Sequence, residues 1–85
     1  MRKTNFTDDA WDDYVYGQGQ DRKTLKRINQ LIEATKRAPF EGIGKPEPLR
    51  GSLSGFWSRR IDETNRLVYE VNDQEIVIIF CRNHY

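Results

Sequence analysis

Glu47, Arg66 and His84 carry between them the side-chain chemistry that cuts RNA without a metal ion. Such cleavage needs a base to take the 2′-OH proton, so that the freed oxygen attacks the neighbouring phosphate. It also needs an acid to protonate the departing 5′-oxygen and a cation to hold the charge that builds on phosphorus. Glu47 stands between Pro46 and Pro48, and a free glutamate, with a pKa of about 4.3, is ionised at neutral pH and available as the base. His84 is the only histidine, and a free imidazole pKa of about 6.5 suits proton delivery to a leaving group. Arg66, together with Arg60, can grip phosphate oxygens in a bidentate manner and stabilise a pentacovalent phosphorus. Lys45 and Arg50 flank Glu47 and suit adjacent phosphates. Tyr85 follows His84 and can stack on a base or steady the chain end.

A histidine near a chain end and a glutamate between prolines are also ordinary surface residues, so spacing alone leaves a second reading open. In that reading the chain is a non-catalytic module that binds RNA, the ribosome or operator DNA through its basic segments. The carboxylate argues against it, because Glu47 beside phosphate-binding residues repels RNA and serves no purpose in a pure binder. Other chemistries find less support. One histidine and one cysteine without ligand spacing make no zinc site. Gly42-Ile43-Gly44-Lys45-Pro46 lacks the spacing of a phosphate-cradling loop. Nothing resembles a nucleophile elbow.

The elements that position these residues follow from the apolar pattern. Residues 2–6 read as a short edge strand. Thr7 caps a first helix whose start carries Asp8 and Asp9, with Phe6 and Trp11 spaced as a hydrophobic staple. Gly17 and Gly19 are expected to end that helix through positive φ. A second helix runs from about Asp21 to Arg37, with Leu25, Ile28, Leu31, Ile32 and Thr35 at helical spacing and Ala38-Pro39 as its stop. The two helices should form an antiparallel hairpin. Residues 38–55, rich in proline and glycine, read as a stiff loop without regular structure. Three strands follow, over 56–61, 66–71 and 76–82, as an antiparallel meander. Register places Arg60 opposite Arg66, Trp57 opposite Tyr69 and Arg59 opposite Leu67. Trp57, Ile61, Leu67, Tyr69 and Val71 then share the helix-facing side. Ser58, Arg60, Arg66 and Val68 share the other. A one-residue slip would scatter the apolar set over both sides. Two arginines side by side cost stability and make sense with an anion between them. The run 76–81 is apolar on both faces, as in a central strand.

With 85 residues the expectation is one domain, residues 1–85. The net charge of +1 hides an acidic start, a basic second helix and a basic set near the end, which suits a protein meeting RNA on one face. Cys81, the single cysteine, sits in an apolar run and reads as a buried small hydrophobe. No stretch is apolar for long enough to span a membrane, and the start lacks the apolar core of a signal peptide, so a cytoplasmic protein is expected.

Several blocks together resemble the Txe/YoeB toxin family of the RelE-like superfamily. They are Trp11-Asp12-Asp13-Tyr14, Pro39-Phe40-Glu41-Gly42, Gly44-Lys45-Pro46-Glu47-Pro48-Leu49, Leu53 to Ile61, Arg66-Leu67-Val68-Tyr69 and the ending His84-Tyr85. The resemblance spans nearly the whole chain. It implies an α+β, RelE-like fold akin to microbial ribonucleases, with an N-terminal helix hairpin packed on a small antiparallel sheet. It implies cutting of mRNA in the ribosomal A site, leaving a cyclic phosphate, with no cofactor. Glu47 matches the family's general base, His84 its general acid and Arg66 its transition-state stabiliser. Lys45, Arg60 and Tyr85 match positions that touch RNA. The implied partners are a YefM-like antitoxin whose C-terminal segment covers the active site, operator DNA through that complex alone, and a second copy in a homodimer. The chain departs from the family's usual residues at Gly17, Ile43, Arg50 and Asn83.

Overall fold

The structure, a computed structural model, describes residues 2–82. Strand β1 (Lys3–Phe6) leads into helix α1 (Asp8–Gln18) and then α2 (Arg22–Arg37). Strands β2 (Glu47–Pro48), β3 (Trp57–Arg60), β4 (Arg66–Val71) and β5 (Glu75–Phe80) follow, with a single 3₁₀ turn at Gly51–Leu53 between β2 and β3.

The helices start as their sequences dictate. The Thr7 hydroxyl accepts from the Ala10 amide at 3.1 Å, and Phe6 meets Trp11 edge-on with ring centroids 5.6 Å apart. Asp21 caps α2 by accepting from the Lys23 amide at 3.0 Å and from the Thr24 hydroxyl at 2.8 Å. The end of α1 differs from expectation. The helix continues through Gly17, and Gly19 caps it at φ −93°, in the right-handed region. Short-range bonds from the Gly19 amide to Tyr16 O and from the Gln20 amide to Gly17 O tighten the last turn, because α2 begins almost at once and leaves no room for a left-handed cap.

The sheet order is β1-β5-β4-β3-β2. β3, β4 and β5 form the antiparallel meander in the expected register, with Trp57 opposite Tyr69, Arg59 opposite Leu67 and Arg60 opposite Arg66. β1 lies at the edge and pairs with β5 in parallel, so the sheet is mixed. This pairing follows from the hairpin, which carries the chain across one face of the sheet between β1 and the later strands. Residues 38–55 contain more order than expected, because Glu47 pairs with Ser58 and Pro48 with Trp57 at the edge beside β3. β5 ends at Phe80, two residues before its expected limit.

The core lies between sheet and hairpin. Ile28, Leu31 and Ile32 of α2 meet Leu67, Tyr69, Ile76, Ile78 and Ile61, with Trp57 and Val71 packed against them. A bulge interrupts the β4–β5 ladder, since Tyr69 pairs with Ile78 whereas Val68 pairs with Phe80. The extra residue, Ile79, reverses the strand's alternation. Phe80 therefore turns to the open face beside Val68, and Cys81 turns inward, where its thiol lies 3.4 Å from Ala10 O. β5 is apolar on both faces, but only Ile76 and Ile78 of it are fully buried, because the helices cover one side alone. Burial pushes the Cys81 thiol up to about 12, and nearby Asp13 adds to the shift.

Candidate active site

Strand pairing brings most of the anticipated residues to one side of the sheet. Glu47 shares a pair with Ser58, and Ser58 with Val68. This row therefore sets Glu47 on the open face, away from the helices. Two residues further along β3 and back along β4, Arg60 faces Arg66. Strands spaced by about 4.8 Å and residues rising about 3.3 Å put Glu47 roughly 10 Å across and 7 Å along from Arg66. Side chains as long as these close much of that separation and leave room for one phosphodiester between them. Arg60 and Glu47 are exposed, and Arg66 is half-buried.

Lys45 enters β2 at φ +51°, the sole non-glycine residue at positive φ among the described residues. Its exposed side chain sits two residues before Glu47, on the same edge. Arg50 is exposed beyond Pro48, where it precedes the 3₁₀ turn. It lies after the paired part of β2, so pairing does not bring it into the Glu47 row. His84 and Tyr85 fall outside the described residues, as does Asn83. No group of three or more metal-binding side chains occurs among the described residues.

The loop that delivers Lys45 and Glu47 is held from beneath by a residue that sequence reasoning did not single out. Arg59 is 0% exposed. Its guanidinium donates to three loop carbonyls, those of Ala38 at 2.5 Å, Glu41 at 2.8 Å and Ile43 at 3.0 Å. Its Nε donates to the Tyr69 hydroxyl at 3.2 Å, and that hydroxyl donates to Pro39 O at 2.7 Å. Burial raises the Tyr69 phenol above its ordinary range, with Arg59 pulling the other way. A fully buried guanidinium satisfied by carbonyls fixes a loop that has no ladder of its own. The signal was in the register: a charged residue opposite Leu67 on an otherwise apolar face must find partners inside.

Gly44 completes the junction. It stands at φ +82°, and an added Cβ would lie 2.7 Å from Leu31 Cδ2 and 3.1 Å from Arg59 Cβ. This close approach lets Gly44 O accept from the Arg60 amide at 2.7 Å, so the loop is bonded to β3 just before Glu47 pairs with it. The Phe40 ring closes the outer side, 4.8 Å from Trp57 between centroids.

The chain is similar to known proteins in both sequence and backbone. A family model described as a YoeB-like toxin of bacterial type II toxin-antitoxin systems matches residues 6–85. Toxin YoeB of Streptomyces coelicolor is 58% identical over 85 residues, covering 100% of both chains. Among solved structures, the YoeB/ParE toxin from Agrobacterium tumefaciens is similar with a TM-score of 0.93 at 46% identity, covering 98% of this chain and 99% of that one. The YoeB dimer from Staphylococcus aureus gives 0.91 at 45% identity, covering 99% and 98%. The heterotetrameric YoeB–YefM complex from the same organism gives 0.90 at 44%, covering 100% and 99%. The α+β fold implied by the sequence resemblance is the one observed, and agreement of this extent in both sequence and backbone makes the chain a member of the YoeB-like toxin family of bacterial type II toxin–antitoxin systems.

Proposed function

We propose that this toxin is an endoribonuclease that cuts mRNA in the A site of the ribosome and so halts translation. The observation that carries the reading is the placement of Glu47 one row from the Arg60–Arg66 pair on the open face of the sheet. Glu47 takes the proton of the 2′-OH, and the 2′-oxygen attacks the adjacent phosphorus. Arg66, aided by Arg60, holds the non-bridging oxygens as charge builds there. His84 gives its proton to the 5′-oxygen as the P–O bond breaks. The products are a 2′,3′-cyclic phosphate and a 5′-hydroxyl, and proton transfers alone balance the steps. Lys45 and Arg50 bind flanking phosphates, and Tyr85 stacks on a base or steadies the chain end.

The relatives supply the partners of this reading. YoeB of Staphylococcus aureus is solved both as a dimer and in complex with YefM. By the same logic this toxin forms a homodimer and pairs with a YefM-like antitoxin whose C-terminal segment covers the open face. It reaches operator DNA only within that complex. It works in the cytoplasm, where ribosomes hold its substrate. Among the described residues no helix is long and apolar enough to cross a membrane.

Primer extension on a defined mRNA held in purified ribosomes tests the reading, with wild type, Glu47→Ala and His84→Ala side by side. A new stop at the decoding site with wild type alone is the expected result. Each lost acid or base should slow cleavage by about 10²–10⁴-fold. Intact mRNA under a full translation block would replace the nuclease with a binder, and an unchanged cut pattern in either variant would remove that residue's assigned role.

A further inference from the structure

We infer that a groove at the end of the sheet, between α1, the α1–α2 turn and the end of β5, is a subsite for one unpaired RNA base next to the cut. The inference rests on the endoribonuclease reading and adds a residue-level source of sequence preference to it.

The position comes first. β5 runs antiparallel to β4 and ends at Phe80, opposite Val68, so the chain leaves it at the end of β4 where Arg66 stands, and Arg82 lines the groove there. Asn65 immediately precedes Arg66 and lines the same groove. A strand whose phosphate lies at Arg60 and Arg66 on the open face reaches this groove, which opens on the helix side, by turning around this end of the sheet. A larger depression, by contrast, lies at Arg2, Lys3, Lys36 and Arg37, by the start of β5 and far from Arg66.

The shape and chemistry come second. The groove holds ≈ 250 Å³, below the roughly 300–1,000 Å³ that drug-sized ligands occupy, and so is sized for one planar ring system. Its floor includes Ile28 and Cys81, both buried. On one side the Arg82 guanidinium lies 3.6 Å from the centroid of the Tyr16 ring, and Tyr16 remains 47% exposed. A stacked arginine–tyrosine pair is a broad flat platform of the kind on which unpaired bases stack. The mouth is open at Gly17, where a Cβ would meet nothing within 4 Å.

The polar lining selects the occupant. Asp13 Oδ2 accepts from the Cys81 amide at 3.4 Å, and the Arg82 guanidinium charge acts on the same carboxylate. Gln20 and Thr24 add further polar groups. A carboxylate repels phosphate but accepts from the amino group of a base. The groove therefore takes the base and leaves the phosphate to the arginines. It favours bases with an exocyclic amino group (cytosine, adenine, guanine) over uracil.

The test maps cleavage on ribosomes programmed with an mRNA library, using wild type, Asp13→Asn, Tyr16→Ala and Tyr16→Phe, each confirmed folded by circular dichroism. Loss of a stacking platform should change base preference at one position beside the cut by about five- to hundredfold in Tyr16→Ala. Tyr16→Phe, which keeps the ring, should retain the wild-type preference. Asp13→Asn should lose discrimination against uracil there. A uniform drop in rate with preference intact would show Tyr16 and Asp13 to be merely structural and overturn the subsite, while the nuclease reading stood. If wild type cuts nothing, the nuclease reading falls, and a fluorescence titration of the free toxin with cytidine and uridine 5′-monophosphates decides the subsite. Saturable binding that favours cytidine and disappears in Tyr16→Ala supports it, and its absence overturns it.

Discussion

Arg59 and Arg60 are adjacent in one strand and carry the same side chain, but the sheet sends them to opposite fates. Arg59 points into the protein and spends its donors on the carbonyls of Ala38, Glu41 and Ile43. Arg60 points out, opposite Arg66 and exposed, with its side chain available to a ligand. The helix-facing side thus uses charge to fix a loop, and the open side leaves charge against like charge. The chemistry of a guanidinium does not decide its role here, but its strand parity does.

Exchanging the two arginines one at a time gives the largest contrast. Arg59→Met should lose about 3–5 kcal/mol of stability in urea denaturation, because the buried guanidinium's bonds to three loop carbonyls are lost. That is much of the roughly 5–15 kcal/mol a typical domain has. Arg60→Ala should cut ribosome-dependent cleavage by about 10²–10³-fold. Without RNA its stability should be unchanged or higher by a few tenths of a kcal/mol, since a like-charge pair is relieved. A destabilised Arg60→Ala, or an unaffected Arg59→Met, would erase the distinction.

Glycine substitutions probe the same divide with smaller effects. Gly44→Ala meets Leu31 and Arg59 at an unfavourable φ and should cost about 2–4 kcal/mol. Gly51→Ala also stands at positive φ, +66°, but in open space. It should cost only the backbone term of about 1–2 kcal/mol. Equal melting temperatures for the two variants would deny the tight junction beneath the loop. Tyr69→Phe removes the phenol that joins Arg59 to Pro39 and should cost about 1–3 kcal/mol, with the loop amides exchanging faster by hydrogen–deuterium measurement.

At neutral pH the smallest effect is that of the buried Cys81 and Tyr69, which shows only on the alkaline side. Cys81 binds its proton more tightly in the folded chain, at about 12 against 9.0 for a free thiol. Its contribution is complete below pH 9 and is lost as pH rises from there toward 12. Tyr69 shifts in the same direction, so both erode stability on the alkaline side alone. Cys81 should react with a thiol reagent at pH 8 only as fast as the protein opens. Rapid labelling of the native protein would contradict its burial.

Much of this contrast was legible before the structure. The alternation of Trp57, Ile61, Leu67 and Tyr69 admits one register, and that register alone sets Arg60 beside Arg66. Thr7, Phe6 and Trp11 announce the start of α1 through cap and staple. Three things stayed hidden for physical reasons. The Glu47–Pro48 pairing is two residues long and amid prolines, so no periodicity can mark it. The bulge at Ile79 is invisible in a run where every residue is apolar. Arg59's inward parity was readable, but its carbonyl partners depend on how residues 38–44 fold back over it. For the site, pairing sets Glu47, Arg60 and Arg66 on one face, and the roles proposed for these and for Lys45, Arg50, His84 and Tyr85 rest on chemistry and family likeness.

The edge on which Glu47 sits has a consequence for how crowded molecules of this toxin behave. Leu49 donates its amide inward to Phe56 O, so strand alternation turns the backbone nitrogens of Pro48 and Pro46 outward. Neither carries a hydrogen. The outer margin of β2 therefore offers no amide donors at these two positions to an approaching strand, which blunts this edge against pairing with another chain. The carboxylate is thus displayed on a border whose prolines disfavour strand-to-strand association along it.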